Sequence, residues 1–251
     1  ITIKKERSNL MLKNIFITLL TISAFIINGC NETEWKPTSH IVFIDYTSSC
    51  DAMDDFNRRF VKKQILNIAV KMQRQDELKI YPIHASTLSA SAIEVIHYPK
   101  LLGDLNDNIR IDNWKKEVTK NIDNVIHYQF SDADIAGTNV FATIQKAKMT
   151  LKTGKDVKLY YISDMLHEMA GKESFKELFP KMKENEIRVL ANDKASKYCP
   201  NNMLTNVSVN VFLPGKPNGT KYDDLYQKIY CFWDEFFTSA GTNSKIQELR
   251  S

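Results

Sequence analysis

Five oxygen-bearing side chains stand at positions from which they could hold a divalent cation. Asp45, Thr47 and Ser49 occupy every second position of one short segment, so their side chains can project toward a common point. Thr138 offers another hydroxyl, and Asp164 offers a second carboxylate. Carboxylate and hydroxyl oxygens suit Mg²⁺, Ca²⁺ or Mn²⁺ rather than a soft metal. These five residues therefore predict a hard-cation site.

Both aspartates follow apolar runs that are typical of buried strands. The run HIVFID ends at Asp45, and the run VKLYYI from Val157 to Ile162 is followed by Ser163 and Asp164. Nearly continuous apolar runs are typical of central strands in a parallel sheet. In an open α/β sheet the ligand crevice lies outside the carboxyl ends of the strands, where the strand order reverses. The two aspartates are therefore expected to meet at that edge.

Short apolar runs alternate with longer helical stretches, which indicates a doubly wound α/β fold with helices on both faces of a mostly parallel sheet. The six predicted strands cover residues 40–45, 78–84, 93–98, 157–162, 187–191 and 207–213, and the predicted helices cover 51–72, 105–126, 139–151, 175–183 and 222–237. The link between the second and third strands is short enough for a hairpin, which predicts one antiparallel edge strand. The aromatic stripe of the last helix is expected to lie in the core.

The start of the chain has the pattern of an export signal. Lys13 follows Met11, and the apolar run from Ile15 to Ile27 is too short to span a bilayer, as in a signal peptide. The run ends in Ile-Asn-Gly-Cys30, which resembles a bacterial lipobox whose cysteine becomes the lipidated first residue. An ordinary secretory leader ending near a cysteine is the alternative. The expected location is the bacterial cell envelope, with a lipid anchor on Cys30.

These patterns divide the chain into five segments. Residues 1–10 are interpreted as upstream sequence, 11–29 as the signal peptide, 30–39 as a tether, 40–239 as one domain and 240–251 as a C-terminal tail. Residues 1–29 contain four basic residues and one acidic residue, so removing them lowers the formal net charge from +4 to +1. A charge this close to zero gives no support to a nucleic-acid partner.

Three cysteines remain once Cys30 is assigned to lipidation. An exported protein can form disulfides, and the odd number leaves at least one thiol unpaired or paired elsewhere. We predict a disulfide between Cys50 and Cys199, with Cys199–Cys231 as the alternative. The spacing of these cysteines contains no Cys-x-x-Cys metal motif.

The order Asp45-x-Thr47-x-Ser49, then Thr138, then Asp164 resembles the metal-ion-dependent adhesion site of von Willebrand factor A domains. The resemblance extends over residues 40–239 and implies that Thr47, Ser49 and Thr138 coordinate the metal, while Asp45 and Asp164 act mainly through bound waters. Thr47 replaces the commoner serine but keeps the hydroxyl. The implied ion is Mg²⁺, with Mn²⁺ or Ca²⁺ as alternatives.

In the family that this order resembles, an acidic side chain of a partner protein fills an open coordination position of the metal. This resemblance, together with the lipobox-like end at Cys30, implies a membrane-anchored adhesion or scaffold protein without enzymatic activity. One alternative is a Mg²⁺-dependent phosphohydrolase of the haloacid dehalogenase type, although Thr47 stands where that family has an acid and Asp164 lacks an adjacent acid. Another is a structural envelope module with an inert metal site. His167-Glu168 lacks the second histidine of a zinc-protease motif and is expected in a surface loop.

Overall fold

The computed structural model describes residues 36–47, 50, 55–128, 137–151, 153–169, 174–214 and 224–248. The described residues from Pro37 onward belong to one compact unit. The strands are β1 (Thr38–Asp45), β2 (Glu77–Ile83), β3 (Glu94–His97), β4 (Asp156–Ile162), β5 (Ser208–Leu213) and β6 (Ser244–Glu248). The helices are α1 (Asp55–Ala69), α2 (Asp107–Ile126), α3 (Val140–Leu151), α4 (Phe175–Leu178, continued by a 3-10 turn to Lys181), α5 (Glu184–Tyr198) and α6 (Asp224–Ser239). None of the helices in these ranges is long and apolar enough to cross a membrane.

The six strands form a single sheet in the order β3-β2-β1-β4-β5-β6. All neighbours pair in parallel except β2 and β3, which confirms the predicted antiparallel edge strand. From β1 the chain builds outward to β2 and β3, and then continues on the other side of β1 with β4, β5 and β6. The strand order therefore reverses between β1 and β4, at the carboxyl ends of the two strands that carry the aspartates.

Helices cover both faces of the sheet, and β1 contributes to the core on each face. Ile41 and Phe43 pack with α3, α5 and α6, whereas Val42 and Ile44 pack with α1 and α2. All four side chains are at most 1% exposed. Complete burial of one such side chain contributes about 1.5–3 kcal/mol, so β1 is firmly held from both sides. The strand cannot shift its register without moving these side chains to the wrong face.

The aromatic face of α6 lies in the core, as the sequence predicted. Phe232, Trp233, Phe236 and Phe237 are all fully buried. The ring of Phe232 lies 4.7 Å from that of Phe175, which anchors the segment after β4 against α6. This packing fixes α6 beneath the loop that follows β4.

Two predicted elements were wrong. Residues 187–191 were expected to form a strand but lie inside α5, whose buried side chains Ile187, Ala191 and Ala195 recur at helical spacing. Residues 240–251 were expected to form a tail outside the domain, but Ser244–Glu248 pair with β5 as strand β6. The described part of the sheet therefore includes Ser244–Glu248.

Neither predicted disulfide is present. Cys50, Cys199 and Cys231 are not in disulfide bonds. Cys50 belongs to the core on the α1 and α2 face, whereas Cys199 belongs to the core on the opposite face. The sheet thus separates the two residues of the preferred pair, which the sequence had placed at one edge. Cys199 is 2% exposed at the end of α5, and burial raises the pKa of its thiol to about 12.

Candidate metal centre

The carboxyl ends of β1 and β4 bring two buried carboxyl groups together. Asp45, the last residue of β1, is fully buried, and Asp164, two residues after β4, is 5% exposed. The last paired residues of β1 and β4 are Ile44 and Ile162, which lie next to each other in the parallel ladder. The short segment after β4 therefore extends over the end of the sheet and places Asp164 beside Asp45.

Three hydrogen bonds hold the Asp45 carboxyl group. Its Oδ1 accepts the backbone N–H of Thr47 at 3.0 Å and the hydroxyl of Thr47 at 2.6 Å. Its Oδ2 accepts the hydroxyl of Ser163 at 2.9 Å. The Asp-x-Thr spacing is what lets Thr47 turn back onto the end of its own strand, as in an Asx turn. Asp45 is therefore fixed by residues that closely follow β1 and β4 in the chain.

Thr138 reaches the same point from the start of α3. Its hydroxyl donates to the hydroxyl oxygen of Thr47 at 3.0 Å, and its side chain is 1% exposed. Its backbone pairs with Glu168, with N–H to O distances of 2.7 and 2.9 Å. Gly137 permits this pairing because a Cβ there would lie 2.8 Å from the backbone oxygen of Glu168, and because its φ is +83°. The glycine before Thr138 thus has a direct role in placing the hydroxyl.

Several hydrogen bonds hold the loop after β4 in place. Asp164 Oδ1 accepts the backbone N–H of Leu166 at 3.0 Å, and its Oδ2 accepts the Tyr226 hydroxyl at 3.2 Å. The carbonyl of Met165 accepts the buried Trp233 indole N–H at 2.8 Å. Met165 has a φ of +62°, an uncommon conformation for a residue with a side chain, and these bonds hold it. Helix α6 therefore positions Asp164.

The two carboxyl groups make the site electrostatically unfavourable in the absence of a cation. Burial raises the pKa of Asp45 to about 7, and the negative charge of Asp164 raises it as well. The hydrogen bonds from Thr47 and Ser163 act in the opposite direction and lower the pKa. A bound divalent cation would compensate both carboxylates, so the donor set fits such an ion.

The structure brings together four of the five predicted site residues: Asp45, Thr47, Thr138 and Asp164. Ser49 lies outside the described residues. Sequence reasoning missed Ser163 and Tyr226, which bond the two carboxylates. It also missed Cys50, whose sulfur lies within 4.8 Å of a carboxylate oxygen of Asp45 and of Asp164.

His167 was expected in a surface loop, but it is buried. Its side chain is 5% exposed, and its ring packs against Phe141 and Phe175 with centroid distances of 4.8 and 5.4 Å. The backbone carbonyl of His167 accepts the N–H of Phe175 at 3.0 Å. The residue therefore packs in the layer that supports the loop after β4.

No protein-family model matches the sequence, and no curated protein sequence matches it. Similar solved structures include the human COPII-coat protein Sec24c, with 12% identity, 88% of this chain and 31% of that chain covered, and a TM-score of 0.45. The ArnB paralog VWA2 from Sulfolobus acidocaldarius has 11% identity, 85% and 42% coverage and a TM-score of 0.42. Proximal thread matrix protein 1 from the mussel byssus, with a zinc-occupied MIDAS motif, has 12% identity, 84% and 41% coverage and a TM-score of 0.40. The chain spans less than half the length of each of these proteins.

The strand order, the single antiparallel edge strand and the helices on both faces define a doubly wound α/β fold, the fold class that the sequence predicted. The carboxylate and hydroxyl groups lie at the switch point of this sheet, where a doubly wound α/β fold binds its ligands.

Proposed function

We propose that this protein is a metal-dependent protein-binding module. A divalent cation would be held by Asp45, Thr47, Ser49, Thr138 and Asp164, and an acidic side chain of a partner protein would complete its coordination. The observation that carries this proposal is the convergence of two buried carboxyl groups and two hydroxyl groups from three separate segments at the switch point.

The charges of the site support a bridging role for the cation. Two carboxylates balance the charge of one divalent ion, and the hydroxyl groups of Thr47 and Thr138 add oxygen donors without adding charge. The buried surroundings lower the effective dielectric constant, which strengthens the attraction between the ion and an incoming carboxylate. The five predicted residues offer only oxygen donors, and such donors favour Mg²⁺, Mn²⁺ or Ca²⁺.

We further propose that the module is attached to the bacterial cell envelope by a lipid on Cys30. The signal-peptide pattern of residues 11–29 and the lipobox-like end at Cys30 support this location. The partner would then be another envelope or extracellular protein that presents an Asp or Glu side chain.

A binding role fits the site better than phosphohydrolase chemistry. The position two residues after Asp45 is Thr47, whose hydroxyl donates to the carboxylate that would have to act as nucleophile. Next to Asp164 stands Met165, which is fully buried in the core, so no second acid is available there. Turnover of a generic phosphate ester that is lost in Asp45→Ala would contradict this proposal.

Thermal melting with Mg²⁺, Mn²⁺ or EDTA tests the proposed site. A metal present at 100 times its Kd stabilises a protein by about 2.7 kcal/mol, which corresponds to a rise in Tm of roughly 5–10 °C for a domain of this size. We expect this rise in the wild type and its loss in Asp45→Ala and Thr138→Ala.

Thr143→Ala is the matched control for Thr138→Ala. Thr143 is buried in α3, which follows Thr138, and its hydroxyl bonds the Tyr161 hydroxyl at 3.0 Å instead of the site. This variant should melt at a lower temperature and still respond to metal. Equal responses of the wild type and the two site variants would show that the site is inert, which is the structural-module alternative.

A further inference from the structure

The donors at the proposed metal position include a sulfur atom. The Sγ of Cys50 and one carboxylate oxygen each from Asp45 and Asp164 all lie within 4.8 Å of one another. Cys50 is 7% exposed and is therefore buried, like Asp45 and Asp164. The five oxygen-bearing residues of the proposed site do not include this atom.

The local backbone explains why the thiol is close to the site. The backbone N–H of Cys50 donates to the carbonyl of Thr47 at 3.1 Å, which ties Cys50 to the segment that follows β1. Thr47 in turn bonds the carboxyl group of Asp45. Because Cys50 also packs in the core with Ile44 and Ile162, its position is tied to the two strands that define the site.

The spacing of the three atoms is close to what a small thiol-binding ion requires. Zinc binds thiolate sulfur at about 2.3 Å and carboxylate oxygen at about 2.0–2.2 Å, so tetrahedral ligand atoms lie about 3.5 Å apart. The observed upper limit of 4.8 Å can close to that distance by shifts of about 1 Å. Soft thiolate ligands select zinc and similar ions, whereas Mg²⁺ prefers oxygen donors alone.

We propose that Cys50 is a ligand of the metal and that the site therefore prefers Zn²⁺ over Mg²⁺. This inference rests on the proposed function, because it specifies the ion held by the same site. On binding, the S–H bond breaks, a bond forms between sulfur and the metal, and the proton passes to solvent. No change in oxidation state is involved.

Cobalt substitution tests the proposal directly, because Co²⁺ bound to a thiolate shows a sulfur-to-metal charge-transfer absorption in the near ultraviolet. The background variant carries serine at Cys30, Cys199 and Cys231, so that Cys50 is its one remaining cysteine. We expect this background variant to show the absorption on titration with Co²⁺ and to lose it when Zn²⁺ is added. Cys50→Ser should lack the absorption and bind Zn²⁺ at least about 10-fold more weakly, with its affinity for Mg²⁺ nearly unchanged.

The outcomes separate this inference from the proposed function. A Co²⁺ complex without charge-transfer absorption, together with a rise in Tm by Mg²⁺ that depends on Asp45, would overturn the role of Cys50 and leave the proposed function standing. If no divalent ion changes the spectrum or the Tm, both fail. Should Cys50→Ser not fold, X-ray absorption of the zinc-loaded background variant decides, since a Zn–S distance of about 2.3 Å supports the proposal and a shell of oxygen and nitrogen alone refutes it.

Discussion

Replacing Asp45 with asparagine should stabilise the metal-free protein at alkaline pH. The pKa of Asp45 is raised from 3.8 to about 7 by burial and by the charge of Asp164, so the folded state favours the protonated form. Protonated Asp45 therefore stabilises the fold fully below about pH 4, and this stabilisation is lost as the pH rises from about 4 to 7. A difference of about 3 pKa units corresponds to about 4 kcal/mol above pH 7. Asparagine resembles the neutral acid and can keep hydrogen bonds to Thr47 and Ser163.

Thermal melting at pH 8 and pH 4, in EDTA and with saturating metal, measures this effect. In EDTA at pH 8 we expect the Tm of Asp45→Asn to exceed that of the wild type by up to roughly 10 °C, and the difference to vanish near pH 4. With metal the order should reverse, because only the wild type gains binding energy. Asp156→Asn, at the exposed opposite end of β4, is the control and should change stability by less than about 0.5 kcal/mol. A lower Tm for Asp45→Asn in EDTA at pH 8 would refute the reasoning.

Three further predictions concern the backbone at Gly137, the hydroxyl of Tyr226 and the buried ring of His40. Gly137 and Gly154 both have positive φ, but a Cβ at 137 would lie 2.8 Å from a backbone oxygen and one at 154 would meet nothing within 4 Å. Urea unfolding should therefore show a cost of about 1 kcal/mol for Gly154→Ala and a clearly larger one for Gly137→Ala, and equal costs would argue against a steric role. Tyr226→Phe removes the hydroxyl bonded to Asp164 and should weaken metal binding about 10-fold by calorimetry, whereas unchanged affinity would exclude a positioning role. Burial lowers the pKa of His40 from 6.5, so stability that is present above pH 6.5 is lost on acidification; His40→Gln should lose less stability between pH 7 and 5, and a parallel loss would contradict this.

The central strands and the pair of aspartates were predictable because their signal is strong and local. Continuous apolar runs before Asp45 and Asp164 indicate strands that are covered on both faces, and such strands lie in the middle of the sheet. The rule that ligands bind at carboxyl ends of strands then brings the two residues together. Thr138 was predictable from the resemblance, because nothing in its own segment indicates a site.

The elements that were wrong depend on signals beyond a short window. The segment IRVLA at 187–191 has the composition of a strand, but Glu186 accepts the backbone N–H of Lys183 at 2.6 Å and starts a helix there. Only the spacing of Ile187, Ala191 and Ala195 over nine residues reveals the helix. Strand β6 was not predicted because its sequence SKIQE is polar and has no apolar run typical of a strand. Its backbone pairs with β5.

The missing site residues had weak signals or none in the sequence. Ser163 stands directly before Asp164 at a strand end, and that position could have suggested it. Tyr226 belongs to an aromatic helix that the sequence assigned to the core, and only the packing of α6 against the loop after β4 reveals its bond to Asp164. The sequence indicates Cys50 only as a disulfide candidate, because its proximity to Asp164 arises only in the folded chain.

The two outer strands also bear on how copies of this protein behave when they are crowded. At one edge β3 is four residues long, and at the other β6 is five residues long with Lys245 and Gln247 exposed. Short edges with polar or charged side chains offer few unpaired backbone groups to a neighbouring chain. Copies of this protein that are packed closely together are therefore protected against joining their sheets edge to edge into a continuous ribbon.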